Sequence, residues 1–293
     1  MQPLPPLNVP ALLRQYALRP DKSLGQNFLV DESAMRKVMA AAEVASDEDV
    51  LEIGPGLGSL TRHLATAARS VVAVELDARL LPALQDVLSA CTNVSLVQGD
   101  ILLLNPANLV NRPDTLDERP DSMAARLEYL VVANIPYYIT SALIRHLLEA
   151  ERQPRRLILT VQEEVARRIC SAPGDMSLLS LSVQVYGQPS VKAHIPAGAF
   201  YPAPKVDSAV IRIDLFPEPS IPSPWLDTFF RLAKAGFSQK RKTLRNSLAG
   251  GMGWKAAQAA EILQSAGIDP QRRAESLGLD EWRRVVEIVV VSG

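Results

Sequence analysis

Long apolar runs are missing from this chain, and cysteines are nearly so. No stretch of its 293 residues approaches the roughly 18 to 20 consecutive apolar residues of a membrane span. Met1–Pro6 (Met-Gln-Pro-Leu-Pro-Pro) has neither the basic start nor the apolar core of a signal peptide. The two cysteines, Cys91 and Cys170, lack paired spacing and a neighbouring histidine, which excludes a disulfide framework. Both read as reduced core residues of a cytoplasmic protein. His63, His146 and His194 share no metal-ligand spacing and read as structural or surface residues, so no metal is expected. Nothing resembles a Ser/His/Asp or Cys/His nucleophile arrangement. Net charge is also close to absent, at −1, with 47% hydrophobic residues, which describes a globular chain rather than a disordered one. The length allows one large domain or two smaller ones.

What the chain does have is concentrated at Val50–Gly58, Val-Leu-Glu-Ile-Gly-Pro-Gly-Leu-Gly. A short apolar run stops at three glycines spaced two apart, Gly54, Gly56 and Gly58, and a helix-like pattern (Leu57, Leu60, Leu64) follows. This is the strand, glycine turn and helix that open a doubly wound sheet. Glycine suits a turn that needs positive φ or close approach of backbone to a ligand. The dinucleotide fingerprint would place its third glycine at 59, where Ser59 stands. Glu52 before G-x-G-x-G points instead to S-adenosylmethionine (SAM). The same residues also serve as a tight turn with no ligand.

The alternation around this loop is regular. Strands are expected at Val50–Ile53, Ser70–Val74, Val94–Val97, Leu130–Ala133 and Leu157–Val161. Helices are expected at Val9–Tyr16, from Asp31 as N-cap to Glu43, and at Leu57–Thr66, Arg79–Ala90, Ser141–Ala150 and Glu163–Cys170. Acidic residues Glu163 and Glu164 suit the start of the last one. Strand and helix in alternation imply a parallel sheet with helices on both faces. Asn105–Arg126, rich in Pro, Asn, Asp and Arg, reads as a loop insertion. After one more helix past Ser177, the runs Ser190–His194 and Ser208–Leu215 read as an antiparallel pair closing the sheet. The fold class is therefore α/β, a doubly wound, mainly parallel seven-stranded sheet of the Rossmann-like SAM methyltransferase type with a small helical C-terminal domain. Phe216–Pro224 holds four prolines in nine residues and reads as a linker. It divides a catalytic domain, 1–216, from helices over 225–293 at Trp225–Ala235, Lys240–Leu248, Lys255–Ala266 and Asp280–Val290, with 217–224 between them.

Several strand ends carry candidate chemistry. Glu75 ends the second strand about twenty residues after the glycine turn, where a carboxylate faces the ribose of a bound adenosine. A helix cap or surface charge is the plainer use of such a residue. Asp100 ends the third strand and offers an acceptor to the exocyclic amine of the cofactor's adenine; an Asx-turn cap would use it equally well. The fourth strand ends in Asn134-Ile135-Pro136-Tyr137. An exocyclic adenine amine is a poor nucleophile because its lone pair is delocalised into the ring. The Asn134 side-chain oxygen and the Ile135 carbonyl would favour a localised lone pair, Pro136 removes a competing donor, and Tyr137 offers a flat face to an unstacked base. A proline turn beside two buried tyrosines would account for the same letters.

Taken together, these residues resemble the ribosomal RNA adenine N6,N6-dimethyltransferase family. The likeness covers Lys22–Leu29, the glycine loop with Ser59-Leu60-Thr61, Glu75, Gly99-Asp100, Asn134–Tyr137, Phe200–Ser208 and Phe237–Arg245. The last block, followed by helices, is closer to the small-subunit enzymes than to the large-subunit resistance methylases. The resemblance implies that Asn27 and Leu29 bound the cofactor from the N-terminal side, that Gly54 contacts its methionine part, and that Phe200 forms a second aromatic wall opposite Tyr137. Two departures are visible. Met176-Ser177 stands where the family commonly has Tyr-Gly, and the Asn105–Arg126 loop is long.

Charge is unevenly spread. From Thr228 to Ala260 there is no acidic residue, while Arg231, Lys234, Lys240, Arg241, Lys242, Arg245 and Lys255 are basic. Such a run is either a solvated helix face or a phosphate-binding surface, and in a nearly neutral chain it reads as the latter. Lys22, Arg36 and Lys37 would extend it. The expected activity is SAM-dependent dimethylation, with S-adenosylhomocysteine as by-product. By resemblance the target is two adjacent adenines near the 3′ end of 16S ribosomal RNA in a partly assembled 30S subunit. No membrane partner is implied, and the chain reads as a cytoplasmic monomer. The rival readings are a large-subunit RNA or DNA adenine methylase, a small-subunit assembly factor whose binding outweighs its chemistry, and a small-molecule methylase.

Overall fold

The computed structural model describes residues 4–110 and 128–292. Contacts divide the chain into two compact units, one of residues 1–166 with 190–215, the other of 167–189 with 216–293. The proline linker marks only the last of the three crossings, after Leu215; residues 167–189 group with the C-terminal helices.

The first unit opens with α1 (Val9–Gln15), β1 (Phe28–Leu29) and α2 (Glu32–Ala42). Asp31 caps α2 as expected, its side chain accepting from the Ala34 amide at 2.7 Å. Alternating units follow: β2 (Asp49–Ile53), α3 (Ser59–Ala67), β3 (Ser70–Glu75), α4 (Leu81–Val87), β4 (Val94–Gln98), α5 (Pro106–Val110), β5 (Tyr129–Asn134), α6 (Thr140–Leu148) and β6 (Arg156–Gln162). Helices α7 (Glu163–Ile169) and α8 (Leu178–Gln184) lead to β7 (Gly187–Ile195), β8 (Phe200–Tyr201) and β9 (Ser208–Leu215). The seven-stranded sheet has the order β4-β3-β2-β5-β6-β9-β7. Pairing is parallel from β4 to β6, and β9 runs antiparallel to β6. Every residue of β2 and β3 is buried, as expected of central strands covered on both faces. Strand order reverses between β2 and β5, so their carboxyl ends open the crevice where such sheets bind ligands.

Some expectations are corrected. Residues 106–110 of the supposed insertion form α5: Asn105 Oδ1 accepts from the Ala107 amide at 3.0 Å, and Ala107 and Val110 are buried. Residues 111–126 of that segment lie outside the described residues. The helix after the glycine loop starts at Ser59, because Gly58 is its N-cap. Cys91 and Cys170 are half-buried, each just beyond a helix end, rather than core residues. His63 lies 3.5 Å from Glu32, and His146 Nε2 bonds the Leu104 carbonyl at 2.9 Å. A two-stranded sheet, β1 antiparallel to β8, was not foreseen.

The second unit gathers α9 (Leu226–Phe237), α10 (Leu244–Met252), α11 (Ala256–Ser265) and α12 (Leu279–Ser292) around buried Trp282, Phe229, Leu244, Leu248 and Leu263. A methyl group on Gly236 would come within 2.6 Å of the Trp282 ring, so bare backbone lets α9 approach α12. Lys240–Thr243 form a turn rather than the first helical turn of α10. Ser177 begins α8 with a capping box shared with Ser180. Among the described residues, no helix is long and apolar enough to cross a membrane.

Candidate active site

The carboxyl ends of β2, β3 and β5 open into a cleft of about 1080 Å³, its open mouth included. All the residues expected to hold cofactor or adenine line it: Asn27, Leu29, Gly54, Glu75, Asp100, Asn134, Ile135, Pro136, Tyr137 and Phe200. The six basic residues assigned to RNA lie in the other unit. Arg231, Lys234, Lys240, Arg241 and Lys242 are exposed and Arg245 is half-buried.

The floor of the cleft is the glycine loop. Gly56 has φ +59°, and a Cβ there would come within 2.8 Å of the Phe28 ring, so a side chain is excluded twice. The Glu75 carboxylate closes the loop from β3. Its Oε2 accepts from the Gly56 amide at 3.0 Å and its Oε1 from the Asp77 amide at 2.8 Å. Burial raises the Glu75 pKa, against the pull of those two amides, and the Asp77 charge adds to the rise. A carboxylate oxygen can accept more than one hydrogen bond, so Glu75 keeps capacity for a ligand. Glu52, in the neighbouring strand β2 just before the glycine loop, is 2% exposed. Its Oε2 and the Thr61 hydroxyl are both buried with no well-formed hydrogen bond among the described residues. Burial pushes the Glu52 pKa up to about 8, against the pull of the nearby Thr61 hydroxyl, and Glu75 repulsion adds a smaller rise. Asp100 caps the short helical turn after β4, Oδ1 accepting from the Leu102 amide at 2.9 Å. The Asx-turn use is therefore real, and it occupies one oxygen of the carboxylate.

The Asn134 amide is fixed by its neighbour across the cleft. Its Nδ2 donates to the Asn27 backbone carbonyl at 3.0 Å. A carbonyl only accepts, so chemistry alone decides which end of the amide points there, and Oδ1 is left as the acceptor. Asn27 thus acts through its main chain as well as its position. Its own side chain donates to the Gly25 carbonyl at 3.0 Å. The Tyr137 ring is tethered by its hydroxyl to Ser208 Oγ at 2.9 Å. Phe200 is 4% exposed and pairs with Leu29 in the small sheet, which ties it to the Asn27 segment.

Sequence reasoning missed a set of residues that brace this arrangement. Gln26 Nε2 donates to Asp77 Oδ2 at 2.8 Å, and Arg79 bonds both Asp77 and Asp21. Gln26 lay inside the Lys22–Leu29 block, which carried only a family likeness, and Asp77 follows Glu75 by two residues. Neither carried a local signal for a contact 51 residues apart. The Ser208 tether of Tyr137 was equally silent.

A family model described as ribosomal RNA adenine dimethylase matches residues 18–290. A protein of Dehalococcoides mccartyi strain CBDB1 named ribosomal RNA small subunit methyltransferase A is 41% identical over 97% of this chain and 95% of its own length. A protein of the same name from Moorella thermoacetica is 43% identical, covering 94% of each. Among solved structures, the 23S rRNA methyltransferase ErmE superposes with a TM-score of 0.70 at 28% identity, over 90% of this chain and all 100% of that one. A dimethyladenosine transferase from Plasmodium falciparum shares the fold, with a TM-score of 0.70 at 22% identity over 88% of this chain and 95% of that one. The architecture is that of a Rossmann-like methyltransferase with added C-terminal helices, and the chain belongs to the ribosomal RNA adenine dimethylase family.

Proposed function

We propose that this chain transfers methyl groups from SAM to N6 of two adjacent adenosines near the 3′ end of small-subunit ribosomal RNA, two to each, during small-subunit assembly in the cytoplasm. The small-subunit target rests on the relatives at 41% and 43% identity, set against 28% for the large-subunit enzyme. The observation that carries the chemistry is the Asn134 amide, held with its oxygen as the remaining acceptor at the end of β5.

The cleft fits SAM on its own features. Gly54 and Gly56 leave backbone bare where a side chain would fill the floor. The Oε2 of Glu52, without a well-formed hydrogen bond among the described residues, supplies a buried polar atom nearby, and Glu75 and Asp100 stand at successive strand ends. Asn27 and Leu29 would bound the cofactor from the N-terminal side, Gly54 would contact its methionine part, Glu75 would accept from the ribose hydroxyls, and Asp100 would accept from the adenine amine. When bound, SAM supplies an electrophilic methyl group on a positively charged sulfur.

The chain's own contribution is placement and electrostatics. Asn134 Oδ1 and the Ile135 carbonyl would accept the two hydrogens of the target amine. They thereby localise its lone pair, and dipoles already in position need no reorganisation. Pro136 stiffens the turn between these acceptors and Tyr137. Tyr137 and Phe200 would flank the base taken out of its stack. No Brønsted base is required, because the methylated amine is acidic enough to lose its proton to water. The C-terminal helices, with Arg231, Lys234, Lys240, Arg241, Lys242 and Arg245, would dock the RNA phosphates.

The test is to offer purified small and large ribosomal subunits, each lacking its adenine methylation, with labelled SAM. Dimethyladenosine confined to the small subunit is the expected product. Label confined to the large subunit would move the assignment to the resistance-methylase branch.

A further inference from the structure

We infer that Gln26 and Asp77 are positioning residues for methyl transfer, setting the orientation of the Asn134 amide from the ribose side of the cleft. The inference rests on the reading of Asn134 as the acceptor that holds the target amine.

A path of three hydrogen bonds, with one covalent step from Gln26 to Asn27, joins the two halves of the site. The Asp77 amide donates to Glu75 Oε1 at 2.8 Å, and Asp77 Oδ2 accepts from Gln26 Nε2 at 2.8 Å. The next residue, Asn27, offers the carbonyl that receives Asn134 Nδ2. Both ends of the Gln26 amide are committed, since its Oε1 accepts from the Asp21 amide at 2.8 Å. A carboxylate only accepts and a backbone N–H only donates, so Gln26 has a single allowed orientation. Arg79 locks the far end, with Nε on Asp77 Oδ1 at 2.8 Å and its terminal nitrogen on Asp77 Oδ2 at 2.7 Å and on Asp21 Oδ2 at 2.9 Å. The Arg79 bonds, with help from Gln26 and against partial burial, hold the Asp77 carboxyl below its ordinary range, so the anchor stays ionised.

The geometry needs such an anchor. Between Asp21 and Gln26 the backbone–backbone bonds among the described residues are two turn bonds, Gly25 to Lys22 and Gln26 to Asp21, each at 3.2 Å. Side chains of Asp21, Gln26 and Asn27 hold the Ser23 amide, the Asp21 amide and the Gly25 carbonyl. Phe28 and Leu29 are fixed by pairing with Tyr201 and Phe200. Asn27 lies between the turn and the strand, and the Gln26 side chain pins its N-terminal flank to Asp77, in the turn after β3. Without it the Asn27 carbonyl is free to turn and the Asn134 amide loses the partner that tells its oxygen from its nitrogen. Glu75 would still hold the Gly56 and Asp77 amides, so the ribose end of the cleft would survive.

The test is single-turnover methyl transfer with Gln26→Leu, made both in the natural chain and in an Asn134→Ala background, alongside SAM binding by calorimetry. The expected result is a rate about tenfold lower in the natural background, a SAM dissociation constant within about threefold, and no further loss beside Asn134→Ala. Equal losses in both backgrounds, or a loss carried wholly by SAM affinity, would overturn the inference. Asp77→Asn, which keeps the backbone donor to Glu75, should show the same dependence on background and serves if Gln26→Leu does not fold. Should Asn134→Ala leave the rate unchanged, the reading of Asn134 itself fails, an outcome distinct from additivity.

Discussion

The side-chain amide of Asn134 donates to the main-chain carbonyl of Asn27 at 3.0 Å, across a separation of 107 residues. That bond settles which atom of the amide remains to accept. Asn134→Asp, nearly identical in shape, would set a carboxylate oxygen against the Asn27 carbonyl. The variant should fold, and its methyl-transfer rate should fall by about 10² or more, the scale of losing one preorganised donor or acceptor. Single-turnover rates with SAM at saturation measure it. A rate within threefold of the natural chain would show that this contact is idle.

Glu52 predicts a pH dependence of stability. Its folded pKa, about 8, lies above the ordinary 4.5. The folded state therefore holds the proton more tightly, and its contribution is complete below about 4.5 and lost as pH rises through about 8. Glu52→Gln cannot ionise, so its stability should gain on that of the natural chain as pH rises across this window. Urea midpoints at acid and mildly alkaline pH test this. A difference that stays constant with pH would contradict it.

Much of this site was legible in the chain because its signals are local. Three glycines after Val50–Ile53, Glu75 at the end of an apolar run and Asn134 before Pro136 each announce a strand end, and the sheet then brings those ends together. Braces set by distant pairings left no such mark. Gln26 and Asp77 carry no periodicity, and the two-residue strands at Phe28 and Phe200 are too short for alternation to register. Pro106–Val110 was hidden for the same reason, a single turn of helix inside a polar stretch. The grouping of 167–189 with the C-terminal helices depends on contacts far apart in sequence, which the proline linker does not report.

Gly56→Ala should be costly. At φ +59° an L-residue is strained by about 1–2 kcal/mol. The added methyl must also displace the Phe28 ring, 2.8 Å from its position. Denaturant unfolding should show a loss of about 2–4 kcal/mol in all. Gly198→Ala, where a Cβ meets nothing within 4 Å, is the control and should lie within about 0.5 kcal/mol of the natural chain. Equal stabilities for the two variants would contradict the packing described for the loop.

The basic turn Lys240-Arg241-Lys242 is exposed and, by the proposal, meets phosphate. Replacing all three by alanine should flatten the slope of log affinity against log salt by about 2 to 3 for ribosomal RNA. Filter binding over a range of salt concentrations reads this directly. An unchanged slope would leave these residues as an ordinary solvated surface.

The central claim is that the Asn134 site methylates adenine in the small subunit. Its most direct test is transfer of labelled methyl groups to small subunits purified from cells lacking this activity, with the product nucleoside identified, using the natural chain and Asn134→Ala in parallel. The expected results are N6,N6-dimethyladenosine from the first and a rate lower by about 10² to 10³ from the second, with particle binding retained in both. Tight binding of the natural chain with no methyl transfer would contradict it and leave a small-subunit assembly factor in its place.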